Sequence, residues 1–196
     1  MEKPGYVYLD FASDQSEDGL LNTLRNPSTR ASLVSYFQGV IGDPVVTDAL
    51  IDAADRHGID PALVVALSWQ ESGFRSTAYG INTNKTVDRG LMQLNSATFA
   101  FLDSDDFFNP HTNAEYGVSY LSEVLKSSGN MVAALAMYNA GPGRVGNTGA
   151  PRVTLDYISR VLEFKDNLIR GYEESYSSDG VLMTRDIKPV KNPDLL

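Results

Sequence analysis

The sequence predicts a predominantly α-helical domain, and three observations carry that expectation. Apolar residues recur three or four positions apart in several separate windows, the spacing that gives a helix one buried face. Those windows are separated by Gly and Pro, the residues that stop and start helices. With 196 residues, of which 42% are hydrophobic, the chain can bury one substantial core.

Taken in order, residues 1 to 43 mix Gly, Pro, Asp and Ser with isolated aromatics and are expected to form an N-terminal extension. The helical period first becomes clear in "VVTDALIDAADRHG", with Gly58 as the stop. In "IDPALVVALSWQESG", Asp60 reads as the N-cap, Pro61 as the first helical residue and Gly73 as the stop, which puts Glu71 in the last turn. The stretch "FRSTAYGINTNKTVDRG" is rich in Asn, Thr, Ser and Gly and predicts a loop or small hairpin that would wall one side of a cleft. Helices are expected in "NSATFAFL", "NPHTNAEYGVSYLSEVLKSSG", "NMVAALAMYNAG" and "VTLDYISRVLEFKDNLIRGYEESY". "NAGPG" reads as a helix stop and turn that leaves Tyr138 and Asn139 in the last helical turn. The period fades after about residue 177. The expected organisation is an extension over 1–43, a helical domain over 44–170 and a C-terminal tail over 171–196.

Composition narrows the function. Sixteen Lys and Arg against 25 Asp and Glu give a net charge of −9, which argues against a nucleic-acid binder that works by neutralising phosphates. No stretch approaches the roughly 18 apolar residues of a membrane span, and the opening "MEKPGYVYLDFASDQSEDG" lacks the regions of a signal peptide. Cysteine is absent, which removes disulfides and thiolate metal sites. His57 and His111 have no partner at ligand spacing, so neither a metal nor a cofactor is expected.

Glu71 is the residue with chemistry in view. A carboxylate in a last helical turn faces the negative end of the helix dipole, and apolar neighbours disfavour its ionised form. Both effects push its pKa above a reference of about 4.3, as a general acid requires. The ordinary alternative is a surface glutamate without a role.

The order and spacing of "ESGF", "DRGLMQLNSATF", "NPHTNAEYGVSYL", "MYNAGPGRV" and "TLDYISRVLEF" resemble the lytic transglycosylases of the soluble-lytic type, which share the lysozyme-like fold; the match runs over roughly residues 45 to 165. The resemblance implies a lysozyme-like helical domain that cleaves the bond between N-acetylmuramic acid and N-acetylglucosamine in peptidoglycan without water. It implies Glu71 as acid and then base, with Gln93, Asn95, Tyr138, Asn139 and Tyr157 lining the glycan groove. Tyr157 would close the groove near the acid. It also implies action in the periplasm or cell envelope, after export, and an envelope-spanning assembly as a partner.

The residue types suit that reaction. Cleavage needs an acid to protonate the leaving oxygen and groups that position the sugar around an oxocarbenium-like centre. One carboxyl group can serve twice if it then deprotonates the muramoyl sugar's own primary hydroxyl to close an anhydro ring. Two departures from the family stand out. Val153 occupies the place, four residues before the closing tyrosine, where many relatives carry a second Glu. In "NTNKTVDRGLMQLNS", which resembles animal lysozymes and the small secretion-associated transglycosylases, Asp88 sits where hen-type lysozymes place a second carboxylate. Asn95 stands where goose-type lysozymes have an acidic residue. A hydrolytic muramidase using Asp88 is therefore the alternative enzyme, and a non-catalytic peptidoglycan-binding scaffold the alternative of another class. For Asp88 itself the bland reading is a turn former.

Overall fold

The computed structural model describes residues 19–177. Eight helices and a three-stranded sheet follow in the order α1 (Leu21–Arg25), α2 (Arg30–Ile41), α3 (Pro44–His57), α4 (Pro61–Ser72), β1 (Tyr79–Ile81), β2 (Val87–Arg89), β3 (Leu94–Asn95), α5 (Pro110–Ser128), α6 (Met131–Ala140), α7 (Pro142–Thr148) and α8 (Arg152–Ser177). A 3-10 turn, Asp106–Phe108, precedes α5.

The centre of the fold is α4. Its residues from Pro61 to Ser68 are all buried, so the helix has no solvent face along most of its length and packs between α3 and α8. Its start follows from the sequence: Asp60 accepts from the Ala62 N–H at 3.0 Å, and Pro61 supplies a preset φ at the first position. Its end follows from Gly73, whose φ of 60° is in the left-handed region. Asp43, Asn109 and Asn130 cap α3, α5 and α6 in the same manner.

The expected boundary at residue 44 does not mark the start of the packed structure. Among the described residues, Leu20, Leu21, Leu24, Leu33, Tyr36 and Phe37 are buried in the common core. Leu20 N–H donates to the buried Asp60 carboxyl at 3.1 Å, and the Tyr36 hydroxyl donates to the Leu168 carbonyl at 2.9 Å. Burial pushes the Asp60 carboxyl above the usual carboxylate range, and Lys165 lies 3.5 Å from its Oδ2. Leu21 and Leu24 lie on α1, whose five residues are too few to show a period. The tail expected from residue 171 likewise begins later. α8 continues to Ser177, with Tyr172 buried edge-on against Tyr36 at 5.6 Å. Residues 1–18 and 178–196 of the expected extension and tail lie outside the described residues.

Two local expectations also change. "NSATFAFL" is a string of turns rather than a helix. Asn95 is committed to β3, and its side-chain oxygen accepts from the Ala97 N–H at 3.0 Å, which bends the chain before a helical ladder can start. Beyond the "NAGPG" stop, the chain re-enters a short helix, α7, with Pro142 at its first position.

The loop-or-hairpin expectation resolves into an antiparallel sheet in the order β1-β2-β3, with Gly80 opposite Asp88 and Asp88 opposite Asn95. Gly90, at φ 76°, turns the chain from β2 into the core. A Cβ there would lie 2.1 Å from the Phe107 carbonyl oxygen and 2.3 Å from Asn113 Nδ2, so no other residue fits without displacing both.

Candidate active site

The end of α4, the loop from Gly90 to Gln93, the hairpin wall and the start of α8 converge around Glu71. Its carboxyl oxygen Oε1 accepts a short hydrogen bond from the Tyr157 hydroxyl, which joins the last turn of α4 to the first turns of α8. Glu71 retains some solvent contact, whereas Tyr157 is buried. Burial pushes the Glu71 carboxyl up from 4.5 to about 8. The Tyr157 hydrogen bond pulls it down and the Asp88 charge pushes it further up, each by less than burial does. The Tyr157 hydroxyl is itself held well above the usual phenol range by burial and by the adjacent Glu71, so at neutral pH it is a donor.

Three side chains from three helices fix the loop beside Glu71 by bonding its backbone. Ser72 Oγ, next to the acid on α4, donates to the Leu91 carbonyl at 2.8 Å. Asn113 of α5 is fully buried; it accepts from the Met92 N–H at 2.7 Å and donates to the Arg89 and Phe107 carbonyls at 3.0 and 2.7 Å. The Tyr138 hydroxyl of α6 donates to the Met92 carbonyl at 3.0 Å. Leu91, Met92 and Leu94 are core residues. Ser72 and Asn113 were not singled out in the sequence. Asn113 lies inside the quoted "NPHTN", but its partners are reached only through tertiary structure.

Gln93 adopts a left-handed φ of 48°, uncommon outside glycine, and its Nε2 donates back to the Gly90 carbonyl at 2.8 Å. Its Oε1 would lie 3.5 Å from a Cβ at Gly80, so the amide rests against β1. Such strain persists where the surroundings over-determine a conformation.

Asp88 is held from both sides. Asn95 Nδ2 donates to its Oδ1 at 2.7 Å and Asn82 Nδ2 to its Oδ2 at 2.8 Å, while Thr86 Oγ1 accepts from the same two amides at 2.9 and 3.1 Å. The hairpin register that sets Asp88 opposite Asn95 builds this arrangement. Asn139 is exposed and its Oδ1 accepts from the buried Thr154 hydroxyl at 2.8 Å, so the carboxamide offers a ligand chiefly its N–H groups. Val153 is 72% exposed. His57 pairs with Glu115 at 2.8 Å, and among the described residues no cluster of three or more His, Cys, Asp or Glu could hold a metal ion.

The model of the transglycosylase SLT domain matches residues 48–158. X polypeptide of Escherichia coli strain K12 is 35% identical over 145 residues, covering 69% of this chain and 78% of that protein. The membrane-bound lytic murein transglycosylase F of Desulfosudis oleivorans is 35% identical over 100 residues, covering 47% of this chain but only 21% of that protein. Among solved structures, an inactive mutant of the lytic transglycosylase Slt from Pseudomonas aeruginosa superposes with a TM-score of 0.53 at 24% identity, covering 75% of this chain and 25% of the other. That likeness bears on the fold, which is the lysozyme-like one.

Proposed function

This chain belongs to the transglycosylase SLT family, and from that premise we propose that it is a peptidoglycan lytic transglycosylase in which Glu71 is the acid and then the base. The observation that carries the reading is the Glu71 carboxyl itself, raised to about 8 at the end of α4 with one oxygen occupied by Tyr157. At neutral pH this group is protonated. Because Tyr157 donates to Oε1, the transferable proton belongs on Oε2. It passes to the glycosidic oxygen between N-acetylmuramic acid and N-acetylglucosamine as the C1–O bond breaks, leaving a cationic centre on the muramoyl ring. The Glu71 carboxylate, stabilised at that moment by the Tyr157 hydroxyl, then takes the proton of the ring's C6 hydroxyl as that oxygen bonds to C1. The products are an anhydro-muramoyl end and a free N-acetylglucosamine hydroxyl; no water is consumed and the acid is regenerated.

In this reading the N–H groups of Asn139 face the glycan, Tyr138 braces the loop from Gly90 to Gln93, and Gln93 and Asn95 act mainly by holding the wall. Val153 leaves no carboxylate where many relatives of the soluble-lytic type carry one. The substrate places the site of action in the cell envelope. A periplasmic location, and a partnership with an envelope-spanning assembly, rest on the likeness of the hairpin stretch to the small secretion-associated enzymes. The packed domain would run from about residue 20 to 177.

One observation favours a second reading, hydrolysis: Asp88 is fixed on the wall with both oxygens engaged, and its charge is felt at Glu71. Mass spectrometry of products from purified sacculi separates the two. Anhydro-muramoyl ends are expected; reducing ends would assign a muramidase. Glu71→Gln is expected to lower turnover by at least about 10²- to 10⁴-fold while glycan binding survives, and near-normal turnover would remove Glu71 from its role.

A further inference from the structure

Two hydroxyls stand one helical turn apart on the buried face of α8, and each is bonded to a side chain at the end of another helix. Tyr157 donates to Glu71 in the last turn of α4. Thr154, three residues earlier and so its neighbour on that face, donates to Asn139 Oδ1 in the last turn of α6 at 2.8 Å. Thr154 is 1% exposed, whereas Val153 and Leu155 on either side of it are 72% and 54% exposed, so the first turn of α8 directs this polar group inward between two residues that face solvent. Its place is set by the backbone: the Thr154 N–H donates to the Pro151 carbonyl at 2.9 Å as α8 begins.

Asn139 is the kind of residue that needs such a partner. Its side chain is exposed, and the terminal torsion of a carboxamide is broad, so an unheld group would rotate and exchange donor for acceptor at the cleft. The bond to Thr154 removes that freedom, and it does so in one sense. A buried hydroxyl proton requires an acceptor, and the acceptor on a carboxamide is its oxygen. With Oδ1 engaged by α8, the Nδ2 protons are left to the open side. The residue before, Tyr138, bonds the Met92 carbonyl, so the backbone that carries Asn139 is tied to the loop beside Glu71 as well.

We propose that Thr154 is a positioning residue for glycan binding: by holding Oδ1 it presents the Nδ2 protons of Asn139 to an acceptor oxygen of the strand, and it makes this end of the cleft selective for acceptors. This rests on the reading of the cleft as a peptidoglycan site. A carboxamide oriented before the strand arrives need not be ordered by it, so the Thr154 hydroxyl strengthens binding although the buried residue touches no sugar.

Thr154→Val keeps the shape of the buried side chain and removes the hydroxyl. With peptide-free glycan strands as substrate, followed by anhydro-muramoyl ends, the full chain carrying this substitution should show KM raised about two- to tenfold, the worth of one hydrogen bond, with little change in kcat. Thr154→Ser should return KM to the wild-type value. In an Asn139→Ala background Thr154→Val should have no further effect on KM, because a residue that acts through Asn139 has nothing left to orient. The alkaline limb of the pH profile should stay where the wild type has it, since Tyr157 and Glu71 are undisturbed. An unchanged KM in folded Thr154→Val would overturn the proposal. So would an equal loss with and without the Asn139 side chain, or a displaced alkaline limb, either of which would mean that the substitution acts through the packing of α8. If the wild type released no anhydro ends, the reading of the reaction would fail separately; the same cycle, read as Kd for the strands by isothermal titration calorimetry, would still decide for or against Thr154.

Discussion

The Glu71→Gln variant should match the wild type in stability at acid pH and become progressively more stable than it as pH rises from about 4.5 to about 8. In the unfolded chain a glutamate releases its proton near 4.5, whereas the folded site retains it to about 8. Between those values the native state binds more protons than the unfolded state, so this group's contribution to stability falls as pH rises through the window and levels off above it. The gap, at about 1.36 kcal/mol for each pH unit, sets a ceiling of about 5 kcal/mol. Glu71 keeps some solvent contact, and water in the cleft screens its charge, so a difference of about 2–3 kcal/mol is expected. Gln can still accept from Tyr157, so the substitution removes the titration without removing the contact. Urea unfolding of both proteins, followed by circular dichroism at pH 4 and pH 9, measures it. The curves should nearly coincide at pH 4, and the variant's midpoint should lie higher at pH 9. A constant difference across that range would mean that Glu71 is not desolvated by the fold, and the basis for its role as an acid at neutral pH would go with it.

Three further outcomes follow from the same contacts. Asp88→Asn removes a like charge, so the alkaline limb of the activity profile should move to lower pH; the variant should lose far less activity than Glu71→Gln and still release anhydro ends, and equal inactivity in a folded protein would favour the muramidase. Tyr157→Phe removes a donor that favours the ionised carboxylate, so its alkaline limb should move the opposite way, above that of the wild type, and a downward move would contradict the hydrogen bond's direction. Leu24→Ala, at a fully buried position of α1, should cost about 2–5 kcal/mol in chemical denaturation, whereas a cost near zero would return residues 19–43 to the status of an extension.

What could be read in the sequence was whatever depends on neighbours along the chain. Asp60, Pro61 and Gly73 define α4 through local backbone chemistry, so Glu71 could be placed in a last turn before any tertiary contact was known. The same holds for α3, α5 and α6. The helices α1 and α2 were out of reach because their apolar residues gain meaning only against α3, α4 and α8. Ser72 and Asn113 were missed for a related reason: a polar side chain that bonds a distant backbone carbonyl leaves no periodic trace. The partners of Asp88 lie between these cases. Alternation in a short hairpin puts Asn95 across from Asp88 once the register is fixed, but an Asn-rich stretch admits several registers and only the fold selects one.

The manner in which the cleft is assembled bears on why one carboxyl can do two jobs. A cation beside Glu71 would favour its ionised form and remove the proton needed at the first step. Among the groups that shift Glu71 there is none: burial and the Asp88 charge raise its pKa, and the opposing influence is a neutral hydroxyl. The wall is likewise held by neutral side chains, Ser72, Asn113 and Tyr138, each bonded to the backbone of the loop from Gly90 to Gln93. The Asp88 charge is met by two amides rather than by Arg or Lys. Tyr157 completes the arrangement, because its hydrogen bond gains strength once Glu71 has given up its proton, when the carboxylate must persist long enough to act as a base. A site that keeps its acid protonated at rest and supports its anion during turnover needs a donor that is neutral and fixed, and a buried tyrosine on the facing helix meets both conditions.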